Sequence, residues 1–266
     1  MRKSIFRILS VALALSALVS CSVFDDRTGC PSYLTVWYDL FPGSVASSGR
    51  NLSLLVNDSE KVAFDENINA DDYPSGTVIK VKKGLAVVSA WTGIDGMVRN
   101  GHVLMTKEGG ECDSLYLHVG HPDCCDDLSE DHVQMHKQFC TLNVVVEGGE
   151  VWGGDGLWTI LSHWNGLDVI DASSVSGDLS SYMRYMGEGT WQCRIIRQGD
   201  DSLTLEFEGP TGEPLHFDLG AIMAEAGYDW SALDLEDFTL YIRQAEGEWT
   251  WSIAPWNDGG DQIIRV

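Results

Sequence analysis

The chain has 266 residues, with 17 Lys or Arg against 40 Asp or Glu, a formal charge of −23 at neutral pH. Such a surface repels nucleic acid and anionic lipid headgroups, so no nucleic-acid partner is expected. A hydrophobic content of 44%, with ten tryptophans, excludes charge-driven disorder and requires a packed core.

The first element is a leader over residues 1–20. Met1-Arg2-Lys3 and Arg7 precede an apolar run from Ile8 to Val19, followed by Leu18-Val19-Ser20-Cys21. A basic start, an apolar centre and small residues before a cleavage point describe a secretory signal. The cysteine directly after Leu-Val-Ser is the pattern of a bacterial lipoprotein. Cys21 is then the lipidation site and new N-terminus, residues 21–29 the lipid-anchored tether, and the outer membrane a partner through the lipid. The alternative is an ordinary signal peptide that ends near a cysteine. The run is too short for a spanning helix, which needs about 20 apolar residues.

Strand follows strand after the tether. Residues 33–41, 51–56, 77–82, 85–91, 102–105 and 115–119 are rich in β-branched, aromatic and leucine residues, and Gly, Pro, Asn and Asp bound them. This is the texture of a sandwich or barrel, not of βαβ units. A first β-sandwich is assigned to residues 30–120. The acidic, aperiodic stretch 121–136 reads as a linker that continues into a short helix through His136.

The second sandwich, residues 137–266, shows the period of two more clearly. Leu203, Leu205 and Phe207 alternate with Thr204, Glu206 and Glu208. Phe238, Leu240 and Ile242, and then Trp249, Trp251 and Ile253, repeat the pattern. An antiparallel sheet with one wet face requires it. A helix is expected near Leu219 to Ala226, closed by Gly227. No internal repeat is visible by residue identity.

Strand phase places Cys140 with Leu142 and Val144, and Cys193 with Trp191 and Ile195. Both thiols should face the second core. They bridge its two sheets or remain free as small hydrophobes. The other cysteines after Cys21 are Cys30, Cys112, Cys124 and Cys125, and sequence does not choose among the pairings of the set.

Metal and catalytic signals are weak. His118, His121, Cys124, Cys125, His132 and His136 are zinc-type ligands, but their spacing matches no zinc signature and no metal is assigned. The carboxylates have no EF-hand spacing. There is no Gly-x-Ser-x-Gly elbow, metalloprotease helix or phosphate loop, so neither an enzyme nor a cofactor is expected. Trp152, Trp158, Trp164 and Trp256 offer a different reading, a glycan-binding platform. Trp191, Trp249 and Trp251 are in phase with the core.

Cys21-Ser22-Val23-Phe24-Asp25-Asp26-Arg27-Thr28-Gly29-Cys30-Pro31 resembles the start of the FimB-like fimbrial anchor lipoproteins of Bacteroidales. Residues 136–146, Trp164-Asn165-Gly166, 219–227, 238–242 and 249–256 are similar to later parts of that family. The resemblance implies an all-β chain of two tandem transthyretin-like β-sandwich domains, with one short helix in the second. It implies a surface-exposed outer-membrane lipoprotein whose partner is a pilus shaft subunit, as anchor or minor subunit. The chain is shorter than the family expectation, and its His/Cys stretch is not part of the pattern. Pili of this type assemble by strand addition. The terminal Gln262-Ile263-Ile264-Arg265-Val266 is a candidate donor strand, or simply the last strand of its own sandwich.

Overall fold

The computed structural model describes residues 29–40, 50–147, 156–209, 214–245, 248–253 and 262–264. Cys21, Trp152, Trp256, Arg265 and Val266 lie outside them. The described residues are mostly strand. The first half comprises β1 (Pro31–Leu40), β2 (Asn51–Asn57), β3 (Val62–Asn69), β4 (Thr77–Lys82), β5 (Val87–Thr92), β6 (Met97–Asn100), β7 (Val103–Thr106), β8 (Tyr116–Gly120) and β9 (Leu128–Gln134). After β10 (His136–Lys137) come β11 (Phe139–Glu147), β12 (Leu157–Asp168), β13 (Ser174–Tyr182), β14 (Arg184–Gly187), β15 (Thr190–Ile196), β16 (Thr204–Glu208) and β17 (Leu215–Phe217). Helix α1 (Leu219–Glu225) precedes β18 (Phe238–Ala245), β19 (Glu248–Ile253) and β20 (Gln262–Ile264).

In the first half, sheet β4-β1-β9 faces sheet β10-β8-β5-β2-β3. Their inner faces share one core. Leu34 and Val36 of β1, Ile79 and Val81 of β4, and Val133 of β9 meet Leu52, Leu54 and Val56 of β2 and Val88 and Ala90 of β5. Strand β4 alternates strictly between buried and exposed. One dry and one wet face enforce that period.

In the second half, sheet β14-β15-β11-β18-β19-β20 packs over β17-β16-β12, with β13 also on β12. Leu142, Val144, Ile195 and Leu240 meet Trp158, Ile160, Leu205 and Phe207 there. Helix α1 closes this core with Leu219, Ile222 and Met223. The side chain of Asp218 caps it, accepting from the Ala221 N–H at 3.0 Å.

The two halves repeat one topology. Strand β1 lies between antiparallel β4 and parallel β9, and β11 lies between antiparallel β15 and parallel β18. Strand β2 lies between β3 and β5, with β8 beyond; β12 lies between β13 and β16, with β17 beyond. The repeat is in strand order, where residue identity hides it.

Stretch 121–136 is not a linker with a helix. Leu128–Gln134 is strand β9, parallel to β1 from Tyr33↔Leu128 to Leu40↔Gln134, and His136–Lys137 pairs with β8. The polar run misleads because β9 is an edge strand, wet on most of its surface. The boundary between halves is stitched as well. Hairpin β6–β7 leaves the first half and pairs with β12 through Val103↔Asp168, Leu104↔Leu167 and Met105↔Gly166. Leu55, Trp91, Leu104, Leu117, Phe139, Leu167 and Ile196 fill the seam beneath it.

Gly93 starts that excursion at φ +77, with the position of an added Cβ 1.9 Å from the Ser114 carbonyl oxygen. The Ser114 backbone against the added Cβ, together with the left-handed φ of Gly93 itself, leaves no room to relax. Gly93→Ala is expected to cost about 2 kcal/mol. Urea unfolding checks it; an unchanged midpoint would show that the turn adapts freely.

Candidate functional site

Where the two halves meet lies an open cleft of about 910 Å³, and the histidine-rich stretch lines it. His118, His121, His132 and His136 come from one side, and Arg197, Asp200 and the segment Tyr228–Leu233 from the other. The pairing of β8 with β10 and of β9 with β1 brings these histidines together.

Each of three is engaged. The Nδ1 of His118 accepts from the Gln134 N–H at 3.1 Å, so its Nε2–H donates to the Asp131 carboxylate at 2.9 Å. Gly120 makes that approach feasible, because a Cβ there would sit 2.4 Å from Asp131 Oδ2. His132 stacks on Trp37, with ring centroids 6.2 Å apart at 16°. His136 Nδ1 lies 3.0 Å from Asp234 Oδ2, whose other oxygen accepts the Lys137 N–H at 2.7 Å. Among the described residues, no group of three or more His, Cys, Asp or Glu is placed to hold a metal ion.

Arg197 organises the opposite wall and carries no sequence motif. Its Nε donates to Gln138 Oε1 at 2.8 Å, and its terminal nitrogens donate to the carbonyls of Trp230, Ala232 (2.7 Å) and Leu233 (3.3 Å). Burial pulls the guanidinium below its usual range, against the raising influence of Tyr228, Asp229 and Asp234. Asp171, Asp200 and Asp229 stand at the rim in Asp-x-Ser turns. Bonds from Ser173, Ser202 and Ser231 hold each carboxyl below the usual carboxylate range. The rim is therefore anionic, which disfavours acidic ligands.

The candidate thiols are where phase puts them. Cys140 and Cys193 are both fully buried in the second core and both free. They do not face one another across two sheets. Leu142 is opposite Cys193 and Cys140 opposite Ile195, so the thiols are diagonal neighbours on one sheet. Diagonal positions lie roughly 7–8 Å apart, beyond the usual Cα separation of a disulfide. Burial pushes both thiols up to about 12, which suppresses the reactive thiolate.

Of the terminal segment, Gln262–Ile264 forms edge strand β20 on β19, with Trp251↔Ile264 and Ile253↔Gln262 in register. The tryptophan platform does not assemble as a trio. Trp158 is 1% exposed and packs against Phe207 at 4.4 Å and Trp191 at 5.9 Å inside the core. Trp164 lies over Gly199 beside the cleft, where a Cβ would fall 2.7 Å from its ring.

No protein-family model matches the sequence, and no curated protein matches it. Solved structures do match. A protein provisionally described as an adhesin, from Bacteroides ovatus, superposes with a TM-score of 0.61 at 14% identity, over 89% of this chain and 95% of its own. A protein provisionally described as polysaccharide-binding, from Bacteroides thetaiotaomicron, gives 0.59 at 15% identity, over 89% and 98%. The fimbrial anchor protein Mfa2 from Porphyromonas gingivalis gives 0.59 at 13% identity, over 89% and 99%. Along 89% of its length, the chain has the fold of a fimbrial anchor protein.

Proposed function

We propose that the chain is a surface-exposed outer-membrane lipoprotein that tethers the base of a strand-exchange pilus, or serves as a minor subunit of one. The observation that carries the proposal is the match to Mfa2 over 99% of that protein. The lipoprotein pattern ending at Cys21 supports it independently. The partner is the shaft subunit of the same system. The role is structural; the solved proteins that share the fold include one provisionally described as an adhesin and a fimbrial anchor protein. Strand β20 is the natural contact, because a sheet edge has a row of unpaired backbone groups for a partner strand.

Deleting the gene is expected to shed pili into the medium, and the tagged chain should co-purify with shaft protein from outer membrane. A folded chain lacking residues 261–266 should lose the shaft protein. Normal pilus retention in the deletion strain would overturn the proposal. The second reading is surface glycan binding, favoured by the neighbour provisionally described as polysaccharide-binding. Glycan-array binding with pili still retained would favour it.

A further inference from the structure

The wet face of sheet β4-β1-β9 is rich in apolar side chains. Tyr33 of β1 is opposite Lys80 of β4 and Leu128 of β9. Leu34 beside it is fully buried, so Tyr33 and its two partners point outward. Thr35 is opposite Val78 and Glu130 in the next outward row. Tyr33 is 45% exposed, Val78 61% and Leu128 76%, and Leu85, between β4 and β5, is 70% exposed. Contiguous apolar surface of this kind marks an interaction site. Charge singles out the same place. Six lysines follow the leader, and four of them are Lys61, Lys80, Lys82 and Lys83. Lys80 and Lys82 alternate outward along β4. Asp58 holds the turn bearing Lys61 beside Lys82, accepting the two backbone N–H groups at 2.9 and 3.0 Å. The carboxylates around them are Asp58, Glu60, Asp126, Asp127 and Glu130. Glu60 pairs with Lys82, and Asp127 with Lys83 at 2.7 Å. The face is therefore close to neutral, on a chain of formal charge −23.

We propose that this outer face lies on the bilayer interface and fixes how the anchor stands. The partner is a phospholipid surface, and the inference rests on the lipid-anchor reading. Residues 21–29 lead into β1 at Pro31, two residues before Tyr33. Ten residues from Cys21 reach at most about 35 Å when fully extended. Lipid on Cys21 keeps the Lys80–Tyr33–Leu128 row within that distance of the membrane. Tyr33 sits at headgroup depth, and Val78, Leu85 and Leu128 meet the acyl boundary. The lysine stems lie along the apolar surface with their ammonium groups among the phosphates. Acyl chains on one residue set a distance and leave the domain free to rotate. A second contact removes that freedom. The acidic remainder of the chain is repelled by anionic headgroups, so the near-neutral face is the one that turns inward.

The test places the full-length chain, purified from membranes, in vesicles of phosphatidylethanolamine and phosphatidylglycerol, and acetylates its lysines briefly. The mass of the N-terminal peptide reads the lipid on Cys21. The reference is the chain secreted without a cysteine at that position, in buffer. Lys80 and Lys82 should react about threefold more slowly on vesicles, the protection of a face in contact for about two thirds of the time. The exposed Lys107, outside this face, should not change. Leu85→Asp combined with Leu128→Asp should restore the Lys80 rate without releasing the protein from the vesicles. Both positions are exposed, so the thermal midpoint of this variant should match the parent's. Equal Lys80 rates on vesicles and in buffer, with lipid on Cys21, overturn this inference and leave the anchor reading standing. An N-terminal peptide without lipid overturns both. Protection that vanishes when the protein is diluted at constant lipid assigns the face to a second copy of the chain and overturns the inference.

Discussion

Arg197→Met is expected to lower stability by about 3 kcal/mol, measured as a shift in the urea midpoint at unchanged slope. The side chain is 8% exposed, and the acceptors it serves are neutral: Gln138 Oε1 and the carbonyls of Trp230, Ala232 and Leu233. Methionine fills the volume and leaves those acceptors without donors, at roughly 1–3 kcal/mol for each one that stays dry. Two effects reduce the sum. The guanidinium no longer has to be desolvated, and the open cleft lets water reach part of the wall. Arg197→Lys should recover less than half of the loss, because one ammonium cannot reproduce the planar fork that spans several carbonyls. Hydrogen exchange should rise first in residues 228–235, including the Leu235 N–H that donates to the Lys137 carbonyl at 3.0 Å. A loss below 1 kcal/mol would show that water substitutes fully for the side chain.

What the sequence disclosed follows from where burial is one-sided. Strands β4, β16 and β18 were legible because each turns one face to a core and one to water, so apolar residues recur every second position. Helix α1 was legible from its apolar run and the glycine beyond it; Gly227 adopts φ +79. Strands β3 and β9 were not. Asp65, Glu66 and Asn67 in β3, and Glu130, Asp131 and His132 in β9, are residues that composition assigns to loops. Edge strands tolerate them because only one flank is paired, and charge there opposes unwanted association.

The site was half legible. The histidine cluster was visible as residue types, but its meaning was not. Sequence proximity suggested a ligand set; the structure spends His118 on Asp131 and His136 on Asp234. Arg197 was invisible because a basic residue after Ile195-Ile196 looks like the wet end of a strand. Its partners lie 33 to 59 residues away in sequence. The strand-order repeat was hidden for a related reason. Topology is set by which edges pair, and two halves with different side chains satisfy the same pairing.

Cys21→Ala, introduced in place of the native chain, is expected to move nearly all pili from the cells into the medium. Lipid on Cys21 is the means by which the proposed anchor is held on the membrane. Among the described residues, no helix is long and apolar enough to cross one. The formal charge of −23 repels anionic headgroups. Acyl chains contribute about 0.8 kcal/mol per buried CH₂, and several chains on one residue hold where a single chain is marginal. Removing them removes most of the binding free energy in one step. The fold should not change, since β1 begins only at Pro31. A variant secreted with an ordinary signal peptide and no cysteine separates loss of lipid from failed export: it should be folded, bound to shaft protein and free in the medium. Pili that stay firmly attached in that strain would show that the tether is not the anchor, and would leave adhesion or glycan capture as the role of this fold.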